Sequence, residues 1–240
     1  MSTSPREILA SGAAELGISL SEAQLDQFDR FTELLLEWNS KFNLTRITDP
    51  AEIAVKHYLD SLSVLSVVKF QGEASLIDVG TGAGLPAIPL KIAIPGLRVD
   101  LLDSVRKRLT FLDAVAQDMG MTDVTTVHSR AEDAGRDKAL RERFDFSVSR
   151  AVARLNLLSE FCIPFCKVGG MFIAYKGPDA DEEISDAVKA IRTLGGKIEA
   201  VHKFTLPGDL GRTIIAIKKT KPTPLQYPRK AGVPERNPIK

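Results

Sequence analysis

The residues best suited to bind a ligand form one short segment, Asp78-Val79-Gly80-Thr81-Gly82-Ala83-Gly84. An apolar run typical of a buried strand leads into three alternating glycines and then into a predicted helix. Glycine allows a tight turn and lets a ligand come close to the backbone. The first turn of the following helix offers amide groups without helical partners. We therefore expect a ligand at the carboxyl end of this strand.

The spacing of the glycines favours one kind of nucleotide ligand over another. A dinucleotide fingerprint, Gly-x-Gly-x-x-Gly, needs its third glycine at the position that Leu85 occupies here. The segment is closer to the more open turn of methyltransferases that use S-adenosylmethionine. Asp78 lies where a carboxylate can interact with a cationic amino acid group, directly or through water. We predict contacts to such a cofactor from Asp78, Gly80, Gly82 and Gly84.

Polar residues also follow the next predicted strands. Asp103 and Ser104 end the second strand, where a carboxylate reads ribose hydroxyls in Rossmann-like folds. Asp103 can equally cap the next helix, and the two roles can coexist. The segment Ser129-Arg130-Ala131-Glu132 follows the third strand, where loops commonly flank an adenine. Val148-Ser149-Arg150-Ala151 follows at the carboxyl edge of the fourth, where open α/β sheets bind ligands.

The residues near the fourth strand restrict the acceptor chemistry. Methylation of an exocyclic amine often uses an Asn/Asp-Pro-Pro-aromatic motif, which the chain lacks there. Methylation of pyrimidine C5 needs a nucleophilic cysteine, usually after proline, and neither Cys162 nor Cys166 follows one. A ring nitrogen with a free lone pair needs neither device, because no proton must leave first. Orientation alone can lower such a barrier by roughly 7–11 kcal/mol.

The elements that must position these residues follow a change of pattern near residue 74. Residues 1–72 are predicted to form a helical extension, with a capping box at Ser21 and a second helix start at Asp49. Strands then alternate with helices, which indicates a mostly parallel sheet. The short turn before the last strand requires that strand to be antiparallel. Seven strands are predicted, at 75–80, 99–104, 125–130, 144–150, 171–176, 198–206 and 213–219.

The predicted fold is therefore α/β, a Rossmann-like class I S-adenosylmethionine-dependent methyltransferase domain over residues 73–220 with the helical extension packed on it. Helices are expected at about 86–94, 105–119, 150–166 and 180–195. Residues 221–240 form a basic, proline-rich C-terminal tail, predicted to be extended. The stretch 218–240 holds seven basic residues and one acidic residue, although the chain has a net charge of +1. This charge indicates either a phosphate contact or a solvated basic end.

Composition excludes several other classes. Hydrophobic residues make up 44% of the chain, but no run approaches the ~18 apolar residues of a membrane span. The first residues lack a signal-peptide core, so we expect a cytoplasmic protein. The two cysteines are expected to be buried thiols in a reducing compartment. Three scattered histidines predict no metal site.

The chain resembles the glucose-inhibited division protein B family, the bacterial 16S ribosomal RNA guanine-N7 methyltransferases, from about residue 25 to 240. Three groups of motifs carry the resemblance. They are Glu37-Trp38-Asn39-x-x-Phe42-Asn43-Leu44-Thr45 and His57-Tyr58-Leu59-Asp60-Ser61-Leu62 in the helical extension; Asp78 to Pro86, Leu102-Asp103-Ser104, Arg130-Ala131-Glu132 and Ser149-Arg150-Ala151 in the core; and Thr223-Pro224-x-x-Tyr227-Pro228-Arg229-Lys230-x-Gly232-x-Pro234 with Pro238-Ile239 in the tail.

The resemblance implies transfer of a methyl group from S-adenosylmethionine to N7 of a guanine in a 16S rRNA loop near the decoding site. It implies cofactor contacts from Gly80, Leu85, Ala131, Glu132 and Arg150, with the Ser104 region near the ribose. It names no catalytic base, which agrees with the lone-pair argument. Our candidates for holding the guanine and nearby phosphates are Arg150, Arg130, Asn43 and Lys176. For RNA binding by the tail they are Tyr227, Arg229 and Lys230.

Asn43 can instead simply end its helix, and His57 is expected to be a structural hydrogen-bonding group. Asp60 is predicted to order the N-terminal helices against the cofactor turn. The substrate is expected to be 16S rRNA or a small-subunit assembly intermediate, and the protein a monomer. Three alternatives remain. They are a methyltransferase with a protein or small-molecule acceptor, a nicotinamide-dependent oxidoreductase, and a non-enzymatic RNA-binding protein.

Overall fold

A seven-stranded mixed sheet forms the centre of the fold in the computed structural model, which describes residues 3–70, 73–150 and 153–240. The spatial order of the strands is β3-β2-β1-β4-β5-β7-β6. The strands are β1 (Ser75–Val79), β2 (Arg98–Asp103), β3 (Val124–His128), β4 (Phe144–Arg150), β5 (Cys166–Lys176), β6 (Gly196–Leu206) and β7 (Leu210–Lys219). Strands β1 to β5 pair in parallel, and the predicted Rossmann-like fold is confirmed.

The strand order reverses between β1 and β4, which are parallel neighbours. Parallel strands on the two sides of such a switch point send their connections to opposite faces of the sheet. A crevice therefore opens at their carboxyl ends, where open α/β sheets bind ligands. In this chain those ends are Gly80 and Arg150.

The antiparallel strand predicted from the short turn is β7. It pairs antiparallel with both β5 and β6, so it lies between them, and only residues 207–209 separate it from β6. Both β6 and β7 are longer than predicted. The prediction of a helix over 150–166 was wrong at both ends, since Arg150 stays in β4 opposite Tyr175, and β5 already begins at Cys166.

Helices cover the sheet and form the N-terminal extension. They are α1 (Pro5–Glu15), α2 (Glu22–Phe42), α3 (Pro50–Ile53), α4 (Asp60–Leu62), α5 (Ala87–Ala93), α6 (Arg106–Asp118), α7 (Ala131–Ala134), α8 (Leu155–Cys162), α9 (Asp181–Thr193) and α10 (Val233–Arg236). A π-helical turn, Ala54–Leu59, joins α3 to α4, and 3₁₀ turns follow α4 (Ser63–Ser66) and α8 (Ile163–Phe165). The short α10 lies in the tail that was predicted to be extended.

Local signals for the helix starts are confirmed. Ser21 Oγ accepts from the amide of Gln24 at 3.3 Å, and Gln24 Oε1 accepts from the amide of Ser21 at 2.9 Å. Asp49 Oδ1 accepts from the amide of Glu52 at 2.9 Å, which caps α3. Each cap satisfies amide groups that a helix leaves without partners.

The helical extension packs on the helices that flank the glycine turn. The side-chain amide of Gln24 donates to the carbonyls of Ile92 and Ala93 at the end of α5, at 2.9 and 3.1 Å. Trp38 on α2 meets Phe111 on α6, with 5.8 Å between ring centroids. The extension therefore buttresses the turn from the side of α5 and α6. Gly72, at the predicted domain boundary, and Ala151, in one of the quoted motifs, lie outside the described residues.

Cys162 and Cys166 are both buried free thiols, as predicted. Burial raises the pKa of Cys166 to about 12, so this thiol is protonated at neutral pH and is not a nucleophile. Within the three described stretches of chain, no helix is long and apolar enough to cross a membrane. The same residues contain no group of three or more histidine, cysteine, aspartate or glutamate side chains arranged to hold a metal ion.

Candidate active site

The glycine turn after β1 adopts a conformation that requires glycine. Gly80, Gly82 and Gly84 have φ angles of 74°, 59° and 83°, a region that L-residues with side chains rarely adopt. The amides of Gly80 and Thr81 both donate to the carbonyl of Leu102, at 2.9 and 3.0 Å. These two amides are therefore already used inside the protein, and they do not form the free amide cradle that binds a pyrophosphate.

A cavity of about 440 Å³ opens beside this turn, within the range of about 300–1,000 Å³ that small ligands and cofactors occupy. It lies at the carboxyl ends of β1 to β4, at the switch point of the sheet. Its lining consists of Val79, Gly80, Gly82, Leu102, Asp103, Ser104, Arg108, Ser129, Arg130, Ala131, Glu132, Arg150, Phe161 and Glu235. We call it the cofactor cavity.

Most of the residues predicted to contact a cofactor line this cavity. The structure brings together Gly80, Gly82, Asp103, Ser104, Ala131, Glu132 and Arg150, together with Arg130, which was predicted to hold the acceptor. They come from four different strand ends. Three acidic and three basic side chains share the wall, which suits a ligand that carries both signs of charge.

Asp103 is the best-connected acid of the cofactor cavity. It is buried, and its carboxylate accepts from the amides of Gly82 at 3.0 Å and Val105 at 2.8 Å. Arg108 Nη1 lies 3.2 Å from Oδ2. The bond to Val105 orders the turn into α6, but Val105 is the N-cap residue of that helix and has no side-chain cap, so the alternative role of Asp103 as the helix cap was wrong. The same carboxylate fixes the glycine turn while it lines the cavity.

Three predicted cofactor residues, Asp78, Gly84 and Leu85, do not line the cavity. Asp78 is fully buried, and its Oδ2 accepts from Thr81 Oγ1 at 2.8 Å and from the amide of Ala87 at 3.3 Å. Its Oδ1 is buried and has no hydrogen-bond partner among the described residues. Burial raises the pKa of Asp78 to about 7, against the hydrogen bonds that lower it. Asp78 therefore stabilises the turn from inside the core, through its hydrogen bonds with Thr81 and Ala87.

Gly84 allows close packing of the turn. A Cβ atom at this position would lie 2.6 Å from Ile88 Cγ1 and 2.7 Å from Leu112 Cδ2. Leu85 is buried in the same core. Direct cofactor contacts from Asp78, Gly84 and Leu85 therefore stay predictions.

A second, basic cavity of about 670 Å³ adjoins the first, and Arg150 lines both. The basic cavity is lined by Ile47, Lys56, His57, Asp60, Arg150, Ala153, Arg154, Tyr175, Lys176, Gly177, Glu183 and Arg212. Five of these side chains are basic and two are acidic. The cavity lies between the helical extension and the ends of β4, β5 and β7.

Asp60 holds two arginines at the floor of the basic cavity. Its Oδ2 accepts from Arg150 Nη1 and its Oδ1 from Arg212 Nε, both at 2.9 Å. Arg150 also donates to the carbonyl of Lys56 at 3.1 Å. Asp60 therefore joins the helical extension to β4 and β7 and fixes the guanidinium of Arg150, which lines both cavities. The predicted contact between Asp60 and the glycine turn stays a prediction.

The π-helical turn Ala54–Leu59 presents Lys56 and His57 to the basic cavity. The Nε2 atom of His57 lies 2.9 Å from Thr45 Oγ1, while its buried Nδ1 has no partner among the described residues. Burial, followed by the charge of Arg150, lowers the pKa of His57 to about 4. This histidine is therefore neutral at physiological pH.

The remaining acceptor candidates differ in position. Lys176 lines the basic cavity, where its Nζ donates to the carbonyl of Ala153 at 2.6 Å and pairs with Glu183 at 2.7 Å. Asn43 is exposed, ends α2 in a left-handed conformation with φ of 51°, and lines neither cavity. Its helix-ending role is seen directly, while a role in holding the acceptor stays a prediction.

The tail residues predicted to bind RNA lie away from the basic cavity. Arg229 pairs with the buried carboxylate of Glu160 at 2.6 Å. Tyr227 is half-buried with the Arg229 guanidinium 5.9 Å from its ring centre, and Lys230 is exposed. Their contact with RNA stays a prediction.

Sequence reasoning missed several lining residues. Arg108, Phe161 and Glu235 line the cofactor cavity, and Lys56, Arg154 and Arg212 line the basic one. None lies in a motif with a recognisable ligand-binding pattern. The run of basic residues 106–108 was the only local signal for any of them.

The strand order defines a Rossmann-like fold, which two methyltransferases of known structure share. Among solved structures, a 16S rRNA adenine methyltransferase from Catenulisporales acidiphilia aligns over 64% of this chain and 88% of its own, with a TM-score of 0.51 and 18% identity. A geranyl diphosphate C-methyltransferase from Streptomyces coelicolor, solved with S-adenosyl-L-homocysteine, aligns over 67% and 78%, with a TM-score of 0.52 and 14% identity.

Sequence comparison identifies the family. The family model for rRNA small subunit methyltransferase G matches residues 24–211. The ribosomal RNA small subunit methyltransferase G of Alkaliphilus oremlandii is 50% identical over 98% of this chain and 99% of its own length. That of Lactobacillus johnsonii is 50% identical over 97% and 99%. The chain belongs to the rRNA small subunit methyltransferase G family and is a methyltransferase, as the resemblance predicted.

Proposed function

We propose that this chain transfers the methyl group of S-adenosylmethionine to N7 of a guanine in 16S rRNA, in a loop near the decoding site. The observation that carries the proposal is the pair of adjoining cavities, one sized for a cofactor and one basic, which meet at Arg150. The named relatives support an rRNA acceptor. Ribosome assembly takes place in the bacterial cytoplasm, and we infer that the protein acts there.

The residues of the cofactor cavity fit S-adenosylmethionine. The ribose hydroxyls of the cofactor can donate hydrogen bonds to Asp103, and the carboxylate of the cofactor can pair with an arginine of the cavity wall. Its adenine amine is a donor for which Glu132 provides an acceptor. The cationic ligand also suits a wall with three carboxylates, whereas a pyrophosphate would meet Asp103 next to a turn whose first amides are already used. The dinucleotide alternative is therefore disfavoured.

The basic cavity fits RNA as the acceptor. Guanidinium groups bind phosphate oxygens and base edges in forked geometry. Arg150 and Arg212 are already oriented by Asp60, so little side-chain entropy is lost when they bind. Lys56, Arg154 and Lys176 add positive charge around them.

Asp60 and His57, which lie beside Arg150 in the basic cavity, are poorly suited to remove a proton from the acceptor. Both oxygens of Asp60 accept from arginines, and His57 has a pKa of about 4. When bound, S-adenosylmethionine supplies a methyl group activated by its sulfonium. The protein residues then need only to hold the acceptor atom in line with it. An acceptor with a free lone pair, such as guanine N7, is suited to a site of this kind.

The proposal is tested with labelled S-adenosylmethionine on 16S rRNA and small subunits from cells that lack this gene. We expect one labelled guanine, identified as N7-methylguanosine after digestion. A synthetic target RNA with 7-deazaguanosine at that position, which lacks N7, should accept no label, and the same RNA with guanosine is its control. Label in the 7-deaza RNA would exclude N7, and label only in protein or a metabolite would exclude an RNA acceptor.

A further inference from the structure

The stretch of residues 223–237, which we call the strap, follows β7 and packs along the side of the domain that carries α7 and α8. Two arginines hold its backbone. Arg141 donates to the carbonyls of Thr223 at 2.8 Å and Tyr227 at 2.7 Å, and Arg136 donates to that of Pro228 at 2.7 Å. These bonds fix the first half of the strap on the loop that follows α7.

A buried ion pair fixes the second half. Glu160 on α8 is 1% exposed, and it accepts from the backbone amide, Nε and Nη2 of Arg229 at distances of 2.8, 2.9 and 2.6 Å. Arg229 Nη1 donates to the carbonyl of Asn237 at 2.8 Å, which closes the strap on itself. Since a buried carboxylate is costly without a partner, this pair specifies where the strap lies.

Anchored in this way, the strap reaches the cofactor cavity at two points. The amide of Gly232 donates to Glu132 Oε1 at 3.1 Å, and Glu132 is a buried residue of the cavity wall. Glu235, three residues further along, lines the cavity itself. The strap therefore orients one carboxylate of the cavity and supplies another.

We propose that the strap is part of the cofactor site, in which Glu235 binds the adenine end of S-adenosylmethionine and Gly232 positions Glu132 beside it. Glu132 follows Ala131 just after β3 and contacts Gly232 of the strap, and neither Glu132 nor Glu235 lines the basic cavity. Carboxylates accept hydrogen bonds, and the donor at this end of the cofactor is the exocyclic amine of adenine. The inference rests on the proposed cofactor and is independent of the acceptor.

This arrangement gives the site a preference that can be measured. Replacing the adenine amine by a carbonyl turns a donor into an acceptor, which a carboxylate disfavours. The wild-type protein should therefore bind S-adenosylhomocysteine more tightly than its deaminated analogue, S-inosylhomocysteine. A hydrogen bond to a charged group corresponds to roughly tenfold or more in affinity.

The first test is Glu235→Gln, with binding of both ligands measured by titration calorimetry. We expect S-adenosylhomocysteine to bind about tenfold more weakly. S-inosylhomocysteine should bind more tightly than it does to the wild type, because the glutamine amide can donate to its carbonyl. The matched control is Glu199→Gln, an exposed glutamate on β6 outside both cavities. It should leave both affinities unchanged.

The second test releases the strap without burying an unpaired charge, in the double variant Glu160→Gln/Arg229→Met. S-adenosylhomocysteine should again bind more weakly, and adding Glu235→Gln should have little further effect, because the residue is no longer held at the cavity. Thermal unfolding without ligand verifies that each variant folds. Equal affinities in the wild type, Glu235→Gln and the double variant would overturn the strap proposal. Failure of the wild type to bind S-adenosylhomocysteine would overturn the proposed cofactor instead.

Discussion

Asp60 is the residue whose replacement should reveal most about the link between the two cavities. Its carboxylate is 5% exposed and accepts one hydrogen bond from each of two arginines, whose side chains are 15% and 22% exposed. Asp60→Asn keeps the shape of the side chain but removes its charge. One guanidinium can still donate to the amide oxygen, while the amide nitrogen faces the other.

Breaking a buried ion pair on one side costs roughly 3–5 kcal/mol. The two guanidinium groups keep some contact with water and one acceptor remains, so we expect Asp60→Asn to lower the free energy of unfolding by roughly 2–3 kcal/mol. At urea m-values of roughly 2–3 kcal/mol/M this shifts the unfolding midpoint by about 1 M. The rate of methyl transfer should fall even under conditions in which the variant is fully folded, because Arg150 and Arg212 lose the group that orients them.

The assay is urea unfolding followed by circular dichroism, with methyl transfer measured separately on folded protein. The matched control is Asp181→Asn, which removes an exposed pair with Lys203 whose side chains are 77% and 49% exposed. That pair should contribute less than about 1 kcal/mol. If Asp60→Asn were as stable and active as Asp181→Asn, the inference that Asp60 organises the junction of the cavities would be wrong.

Two further substitutions test the glycine turn. Gly84→Ala should lower the free energy of unfolding by roughly 2–4 kcal/mol, because the new Cβ meets Ile88 and Leu112 and the φ angle is positive. Gly17→Ala is the control: its φ is 75° and the space around it is open, so it should show only the cost of the positive φ, roughly 1–2 kcal/mol. Equal losses in urea unfolding would contradict the packing argument. Asp103→Asn should weaken S-adenosylhomocysteine binding about tenfold in calorimetry, and an unchanged affinity would remove Asp103 from the site.

The parts of the site that were predictable are those built from neighbouring residues. The glycine turn, the helix caps at Ser21 and Asp49, and the acids that end β2 and follow β3 can be recognised from residues a few positions apart in the sequence. Asp60 illustrates the opposite case, because its partners Arg150 and Arg212 lie on strands that only the sheet topology brings together. The position of Glu235 was harder to predict, because the strap that carries it is held by the buried pair of Arg229 with Glu160. The charge of the tail had indicated a phosphate contact or a solvated basic end, and neither includes a buried partner.

The opposed pKa shifts of two buried groups lead to a last prediction, on the pH dependence of stability. His57 has its pKa lowered from 6.5 to about 4, mainly by burial and then by Arg150, with the charge of Asp60 acting the other way. Asp78 has its pKa raised from 3.8 to about 7, mainly by burial, with hydrogen bonds from Thr81 and Ala87 and the charge of Arg150 opposing the shift.

Between about pH 4.5 and 6 the two groups act in opposite directions. The unfolded chain protonates His57 and the folded one does not, so this group makes stability rise with pH, by about 1.4 kcal/mol per unit. The folded chain protonates Asp78 and the unfolded one does not, so this group makes stability fall with pH at the same rate. Their contributions should nearly cancel in the wild type.

A single substitution at either residue should therefore produce a pH dependence of the free energy of unfolding that the wild type lacks. His57→Gln lacks the group that makes stability rise with pH. Relative to the wild type, its free energy of unfolding should therefore fall by about 1.4 kcal/mol per pH unit over this window. Asp78→Asn lacks the group that makes stability fall with pH, so its free energy of unfolding should rise by the same amount per unit. The comparison uses urea unfolding at several pH values, with His202→Gln as the control for an exposed histidine. Parallel pH profiles for all four proteins would mean that neither buried group keeps its shifted pKa in the folded state, and that His57 is free to carry a charge beside Arg150.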